Sequence, residues 1–368
     1  MIYPIIIFGS LIVAGYMIMI ISLIIGWKRL VDASVSPTSV QVAVSIIVAF
    51  KNEQDNLVAL IESIMDQIFP VDKFELILVD DHSADSGISI IREYQKKYTN
   101  IRLLELDNSH VGKKAAVAAG ISEAKHSLIV STDADCTPSP GWLDRISKSC
   151  SEDVLLAIGP VLMSSDNSFS HNLQSLEYAS LMAVAAGSAG IGHPVIASAA
   201  NMVFSKDNLD IKYTTLSPGI KSGDDMFLLH QAKRAGRGKI IFIKSTDAIV
   251  TTKPPDDIIK GYQQRRRWAS KAPFYKDPDT ITAGMIVLLI CITMLASLII
   301  TVFHPAFLLF FGCVFIIKSV FDYILLRKFL LFFGQTRLLK VFIPLQVVYP
   351  FYIVMAFFTG ILKQTSWK

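Results

Sequence analysis

The chain has 368 residues, 52% of them hydrophobic, with 35 lysines and arginines against 31 aspartates and glutamates and a net charge of +4. A mean hydropathy of +0.48 excludes a purely soluble enzyme, and the near balance of charge argues against a nucleic-acid partner. The four cysteines, Cys136, Cys150, Cys291 and Cys313, lack metal-ligand spacing, so neither a disulfide framework nor a zinc site is expected.

Residues 2–26 carry no charge, and about 20 apolar residues suffice to cross the hydrocarbon core. A cleaved signal peptide would instead open with basic residues, keep a shorter apolar region and end at small residues. Residues 1–27 are therefore expected to form a transmembrane anchor. Trp27, Lys28 and Arg29 follow at once, and the positive-inside tendency places the chain beyond them in the cytoplasm.

From residue 40 to 252 the pattern changes. The stretches "VAVSIIVAF" (42–50), "FELILVDD" (74–81), "IRLLEL" (101–106) and "SLIVSTDAD" (127–135) read as buried strands rich in β-branched residues. Residues 56–67, 86–97 and 113–125 between them read as helices. This alternation predicts an α/β domain with a mostly parallel sheet covered on both faces. In such sheets ligands bind at the carboxyl ends of the strands, where the strand order reverses.

Residues 253–280 form a short interfacial segment before a second apolar region, 281–368. There, 281–303 is uncharged, His304 and Pro305 make a turn, a return helix runs to about residue 326, and the apolar run 341–362 contains Pro344 and Pro350. About three C-terminal membrane helices are expected, the last of them kinked or re-entrant. Arg327, Lys328, Arg337 and Lys340 suit a cytoplasmic loop, whereas Lys363 and Lys368 then fall on the wrong side for the charge rule. Lys318 and Asp322 lie one turn apart at membrane depth. Two readings stay open for them: a pair that snorkels to the cytoplasmic leaflet, or a lining for the path of a lipid head group.

Asp80 and Asp81 end the second strand, and Asp133 and Asp135 the fourth. A lone Asp at such a place is most often a cap of a turn or helix. Four carboxylates in one crevice repel one another unless a cation lies among them. Hard divalent ions such as Mg2+ or Mn2+ take oxygen ligands and bridge to substrate phosphate, so the pattern predicts a metal and a diphosphate.

Six motifs in order, "VSIIVAFKNEQDNL" (44–57), "LILVDDHSAD" (76–85), "GKKAAVAAG" (112–120), "STDADC" (131–136), "SGDDMFL" (222–228) and "QQRRRW" (263–268), resemble the signatures of family 2 glycosyltransferases of GT-A fold. Gln264, Arg267 and Trp268 match the QxxRW element of the membrane-bound branch. The likeness covers about residues 42–270. It implies inverting transfer of a hexose from a nucleotide diphosphate sugar, expected to be UDP-linked, to an acceptor hydroxyl.

By the resemblance, Ala49 and Glu53 bound the segment that lines the nucleotide pocket, Asp81 contacts the base with Asp80 alongside, and Lys113 stands near the nucleotide. Asp133 approaches the ribose and shares the metal with Asp135. Asp225 is the candidate general base, with Asp224 as its neighbour and Gly223 giving the loop freedom. Arg267 offers a planar fork to the diphosphate and Trp268 a flat face to a sugar. Lys114, Arg265 and Arg266 also read as solvated or membrane-facing, and His193, before a proline, reads as structural. The stretch from Asn201 resembles the acceptor-side strand of the family, with Ala where its "GxN" has Gly.

One helix before the domain and about three after it resemble the ceramide glucosyltransferase layout, so a membrane lipid is the expected acceptor. The alternative is a processive polysaccharide synthase of the hyaluronan, cellulose or poly-N-acetylglucosamine type. A non-catalytic nucleotide-sugar-binding protein is disfavoured because no motif acid is missing. The protein is expected to be integral to the cell membrane, with its catalytic domain in the cytoplasm and the acceptor end of the site at the bilayer surface.

Overall fold

The computed structural model describes residues 2–32, 41–164, 166, 168–209, 224–236 and 238–362. Two compact units emerge, one from Leu30–Ser164 with Ala197–Lys253, the other from Met1–Arg29, Ser165–Ile196 and Pro254–Thr365.

The first unit is α/β. Its strands β1 (Val44–Phe50), β2 (Phe74–Asp80), β3 (Ile101–Glu105), β4 (Leu128–Ser131), β6 (Val154–Ile158), β8 (Met202–Ser205) and β9 (Lys239–Phe242) form a seven-stranded sheet of order β3-β2-β1-β4-β8-β6-β9. Strands β1 to β4 pair in parallel, β8 runs antiparallel to both neighbours, and β6 pairs parallel with β9. Every residue of β1 and β2 is buried, as a central parallel strand requires. The edge strand β3 is only partly covered.

Helices α2 (Gln54–Met65), α3 (Gly87–Lys97), α4 (Lys113–Glu123), α5 (Trp142–Ser149) and α7 (Asp224–Ala235) complete this unit. Helix α2 buries Leu57, Leu60, Ile61 and Ile64, the spacing of one helical face. A small sheet joins β5 (Cys136–Pro138), β10 (Val250–Thr252) and β7 (Val161–Met163). Successive strands β1, β2 and β3 step to one side of β1, and the chain then returns to lay β4 on the other. That reversal opens a crevice at the carboxyl ends of β1 and β4.

The second unit is helical: α1 (Ile2–Arg29), α6 (Phe169–Gly190), α8 (Ile258–Ala269), α9 (Pro278–Ile300), α10 (Phe307–Phe332) and α11 (Phe342–Leu362). Among the described residues four helical spans are long and apolar enough to cross a membrane: Tyr3–Arg29, Pro278–Ile300, Phe307–Phe332 and Thr336–Leu362. Helix α6, which the sequence places inside the 40–252 stretch, packs on α1. Their backbones touch: a Cβ added to Gly26 would stand 1.8 Å from the Gly187 carbonyl oxygen, and one on Gly190 would stand 2.1 Å from that of Gly26. Only glycine permits so close a crossing.

Two local expectations change. Helix α10 does not stop near residue 326. It carries Arg327 and Lys328 on to Phe332, because Phe329, Phe332 and Phe333 gather around Trp27 with ring centroids 5.5, 5.6 and 6.2 Å away. Helix α11 runs unbroken through Pro350, which decides against a re-entrant loop; Pro344 sits in its first turn, where a missing N–H costs nothing.

Lys318 does not snorkel. It is 2% exposed, and its ammonium reaches Asp322 Oδ2 at 2.6 Å and Gln346 Oε1 at 2.8 Å. Gln346 Nε2 donates to the same Asp322 oxygen at 3.0 Å, and the Tyr16 hydroxyl donates to Oδ1 at 2.5 Å. The pair thus closes a polar network that ties α1, α10 and α11. Breaking a buried pair from one side leaves a charge uncompensated, at a cost of about 3–5 kcal/mol, whereas replacing both partners by apolar residues is often neutral. Lys318→Leu or Asp322→Leu alone should therefore lower the melting temperature in detergent more than the double Leu variant does.

Candidate active site

The loops after β1 and β2 are laced together. Asn52 and His82 adopt φ of 54° and 60°, a left-handed conformation that non-glycine residues hold only when their surroundings enforce it. Asn52 Oδ1 accepts from Ala84 N at 2.8 Å, and Asn52 N donates to Ser83 Oγ at 2.9 Å. Asp85 accepts from Gln54 N at 2.9 Å. Asp80, the last residue of β2, accepts from Ser83 N with both oxygens, at 3.2 and 3.1 Å, which is the common turn-capping role of such an aspartate.

Asp81 is used differently. It is fully buried, and its Oδ1 accepts from Gly112 N at 2.9 Å and lies 3.1 Å from His82 Nδ1. Its Oδ2 has no hydrogen-bond partner among the described residues, although Lys51 Nζ stands 4.0 Å away. A buried carboxylate oxygen left without a donor costs free energy. It is the kind of atom that an incoming N–H satisfies.

A second group stands at the carboxyl ends of β1 and β4. Glu53 precedes α2 and accepts from Asn56 Nδ2 at 2.7 Å. Asp133 pairs with Lys113, the first residue of α4. Asp135 accepts from Thr252 Oγ1 at 3.3 Å. Although Asp135 is exposed at the crevice, partial loss of hydration raises its carboxyl from the ordinary value, and Asp133 and Glu53 push it the same way against the opposing pull of Lys113. Burial and the same two aspartates raise the Cys136 thiol too, so it is an inert neighbour rather than a ligand or nucleophile.

Three carboxylates with one lysine between them are short of positive charge. Among the described residues no three His, Cys, Asp or Glu side chains converge closely enough to hold an ion by themselves. Asp133 and Asp135 would supply the one or two carboxylates by which a hard ion of the Mg2+ type is commonly held, with water and substrate phosphate completing its shell.

Ala49, near the end of β1, is buried. Asp225 is the second residue of α7 and accepts from Met226 N at 2.8 Å. Two residues on, the Phe227 ring lies 5.8 Å from Lys114 Nζ, so Lys114 is not simply solvated and the start of α7 is brought to the start of α4. Asp224 belongs to α7, but its side chain, like Gly223, lies outside the described residues. The structure thus gathers Glu53, Asp81, Lys113, Asp133 and Asp135 at the carboxyl ends of β1, β2 and β4, with the helix that carries Asp225 reaching the start of α4 through Phe227.

Gln264, Arg267 and Trp268 belong to α8 of the helical unit. Arg267 is half-buried with no ion-pair partner among the described residues. Arg265, also read along the sequence as solvated, is instead buried in an ion pair with Glu177 of α6. His193 lies 3.1 Å from Asp279 Oδ2. Asn201 is fully buried. Its Oδ1 accepts from Trp142 Nε1 at 3.0 Å, and its Nδ2 donates to the Pro160 and Ala248 carbonyls at 2.9 and 2.8 Å. Every polar group of that amide is spent inside the fold. Sequence reading also missed Thr252, 117 positions from Asp135, because no local pattern links them.

Family models give the decision. The model of glycosyl transferase family 2 matches residues 45–210 and that of glycosyl transferase family group 2 matches residues 128–359. The chain is a family 2 glycosyltransferase. Among curated relatives, Glycosyltransferase AglE of Haloferax volcanii is 31% identical over 108 residues, 29% of this chain and 35% of its own length. Undecaprenyl-phosphate 4-deoxy-4-formamido-L-arabinose transferase of Edwardsiella ictaluri is 29% identical over 30% of this chain and 34% of its own. Poly(ribitol-phosphate) beta-glucosyltransferase of Bacillus spizizenii is 33% identical over 25% of this chain and 14% of its own. The matches thus span about a third of these relatives' lengths or less. The mannosyltransferase PcManGT from Pyrobaculum calidifontis, solved with GDP-Man and Mn2+, aligns over 96% of this chain and 98% of its own with a TM-score of 0.55 and 16% identity, a likeness of fold. The glycosyltransferase therefore has a GT-A-like α/β fold and candidate membrane helices.

Proposed function

We propose that the enzyme moves a hexose from a UDP-linked sugar to a lipid acceptor at the cytoplasmic face of the membrane, with inversion and with Mg2+ or Mn2+. The observation that carries this reading is the under-neutralised cluster of Glu53, Asp133 and Asp135 beside Lys113, at the crevice where a parallel sheet binds ligands. The relatives named for undecaprenyl-phosphate and poly(ribitol-phosphate) chemistry support a sugar transferase acting on phosphate-bearing acceptors or carriers. The apolar spans favour a lipid among them.

Asp81 Oδ2 accepts a ring N–H of the nucleobase, and Ala49, Glu53 and Asp80 line or brace that pocket. Lys113 stays by the nucleotide. Asp133 and Asp135 hold the metal, which when bound stabilises the charge of the leaving diphosphate. Arg267 takes a diphosphate oxygen pair in its fork, Gln264 lies a turn away on the same helix, and Trp268 offers its face to the sugar or acceptor. Asp225 accepts the acceptor proton, with Asp224 beside it.

Metal binding needs ionised ligands and so releases any proton they carry. Because the Asp135 proton is held above the usual carboxylate range, Mn2+ affinity should climb as pH rises through that raised value and level off above it. Calorimetric titration of the full-length protein with Mn2+ and UDP across pH 5 to 8 tests this. Affinity that is flat across the acid range, or unchanged UDP binding in excess EDTA, would count against the metal role.

A further inference from the structure

The motif run carries three arginines, and the proposed chemistry uses one. Arg265 is 7% exposed and Glu177 5%; the Arg265 Nη2 pairs with Glu177 Oε2. Its guanidinium carbon lies 4.0 Å from the centroid of the Trp268 ring and 5.8 Å from that of Tyr178. The Tyr178 and Trp268 rings stand 6.2 Å apart at 55°. Glu177 and Tyr178 are neighbours on α6, and Arg265 and Trp268 are three apart on α8, so one side chain of each helix grips the other.

Helix α6 holds the entry and first turn of α8, and α11 packs along the rest. His171 Nε2 lies 3.2 Å from the Asp256 carbonyl, and Gln174 Nε2 donates to the Pro255 carbonyl at 3.2 Å, both at the entry to α8. One turn before Arg265, Gly261 lies so close to Gln174 that an added Cβ would stand 2.5 Å from its Oε1. On α11, Thr359 Oγ1 meets the Tyr262 hydroxyl at 2.6 Å. With the helix backbone already held, the remaining freedom is that of the Trp268 ring, and the guanidinium stacked on it removes that freedom. A desolvated cation over an indole is among the stronger contacts of this kind, and the guanidinium is kept charged and oriented by its carboxylate.

We propose that Arg265, oriented by Glu177, is a positioning residue that sets the plane of Trp268 for the acceptor. The proposal rests on the acceptor-side role given to Trp268. A bare structural ion pair would hold the two helices together and do nothing specific to that ring.

The test compares full-length Arg265→Met, Arg265→Lys and the charge exchange Glu177→Arg with Arg265→Glu, each with and without Trp268→Phe. Arg265→Met should raise acceptor KM roughly tenfold, the scale of a lost desolvated cation–π contact, while UDP affinity stays unchanged. Arg265→Lys, which keeps the cation, should recover part of the loss. The charge exchange should recover the melting temperature but not the acceptor KM, because a carboxylate cannot stack favourably on the indole. In parallel, the emission assigned to Trp268 by difference from its Phe version should shift in Arg265→Met. Recovery of both melting temperature and KM by the charge exchange, or an unshifted Trp268 emission in Arg265→Met, overturns the proposal. Failure of the Trp268 role itself looks different: Trp268→Phe and Trp268→Ala alone would leave acceptor KM unmoved, and the emission difference would still decide whether Arg265 positions the ring.

Discussion

Asp135→Asn should abolish sugar transfer, by roughly a thousandfold if several kcal/mol of charge stabilisation are lost, and yet leave a protein that melts no lower than the parent without metal. The two halves follow from one observation. Asp135 stands exposed at the crevice beside Asp133 and Glu53, and partial loss of hydration together with those two carboxylates raises its carboxyl from the ordinary value. A group whose folded value is raised contributes stability below its unfolded value, near 3.9 for an aspartate, and loses that contribution as pH rises through the folded value. At neutral pH the ionised side chain of the metal-free protein therefore stands unfavourably beside two other carboxylates, an effect that solvent weakens at so exposed a residue, and an uncharged amide relieves it. Activity and thermal melting of the metal-free variant, measured at pH 7, check both halves. A variant that transfers sugar normally, or one that loses activity only because it unfolds, contradicts this account of Asp135.

The second large effect is expected at Asp225. Removing a general base typically costs about 10²- to 10⁴-fold, so Asp225→Asn should lose at least about a hundredfold in turnover while binding UDP with unchanged affinity. The carboxylate lies in the first turn of α7 and accepts the adjacent Met226 N–H among the described residues, a bond that an amide oxygen can also accept, so Asn removes the basicity. Saturating kinetics and UDP titration separate the outcomes. Normal turnover at saturation with weakened UDP binding would move Asp225 from the acceptor to the donor side.

The sequence made the sheet legible because its central strands are continuous apolar runs: "FELILVDD" became β2, buried at every residue and ending at Asp80. Asp80 was legible for the same reason, since it closes that strand, whereas β4 stops at Ser131, short of the expected run to residue 135, and Asp133 and Asp135 lie in the segment beyond it. What stayed hidden was tertiary pairing. Arg265 looks like any member of a basic run until Glu177, 88 residues earlier, is packed against it. Gly26 and Gly187 read as ordinary helix residues until their backbones meet. Lys318 and Asp322 were visible as a pair at i and i+4, but Tyr16 and Gln346, which complete the network, come from other helices. Asn201 resembled an acceptor-side residue, and its burial with Trp142, Pro160 and Ala248 gives it a structural task no periodicity could reveal.

The most direct measurement supplies membranes containing the full-length enzyme, and matched membranes containing Asp135→Asn, with a panel of radiolabelled nucleotide sugars and then partitions the products between organic and aqueous phases. A single labelled product is expected in the organic phase, formed from a UDP-linked donor, lost in EDTA and absent with Asp135→Asn. Label appearing instead as an aqueous polymer, or an organic-phase product formed equally by Asp135→Asn, would contradict it.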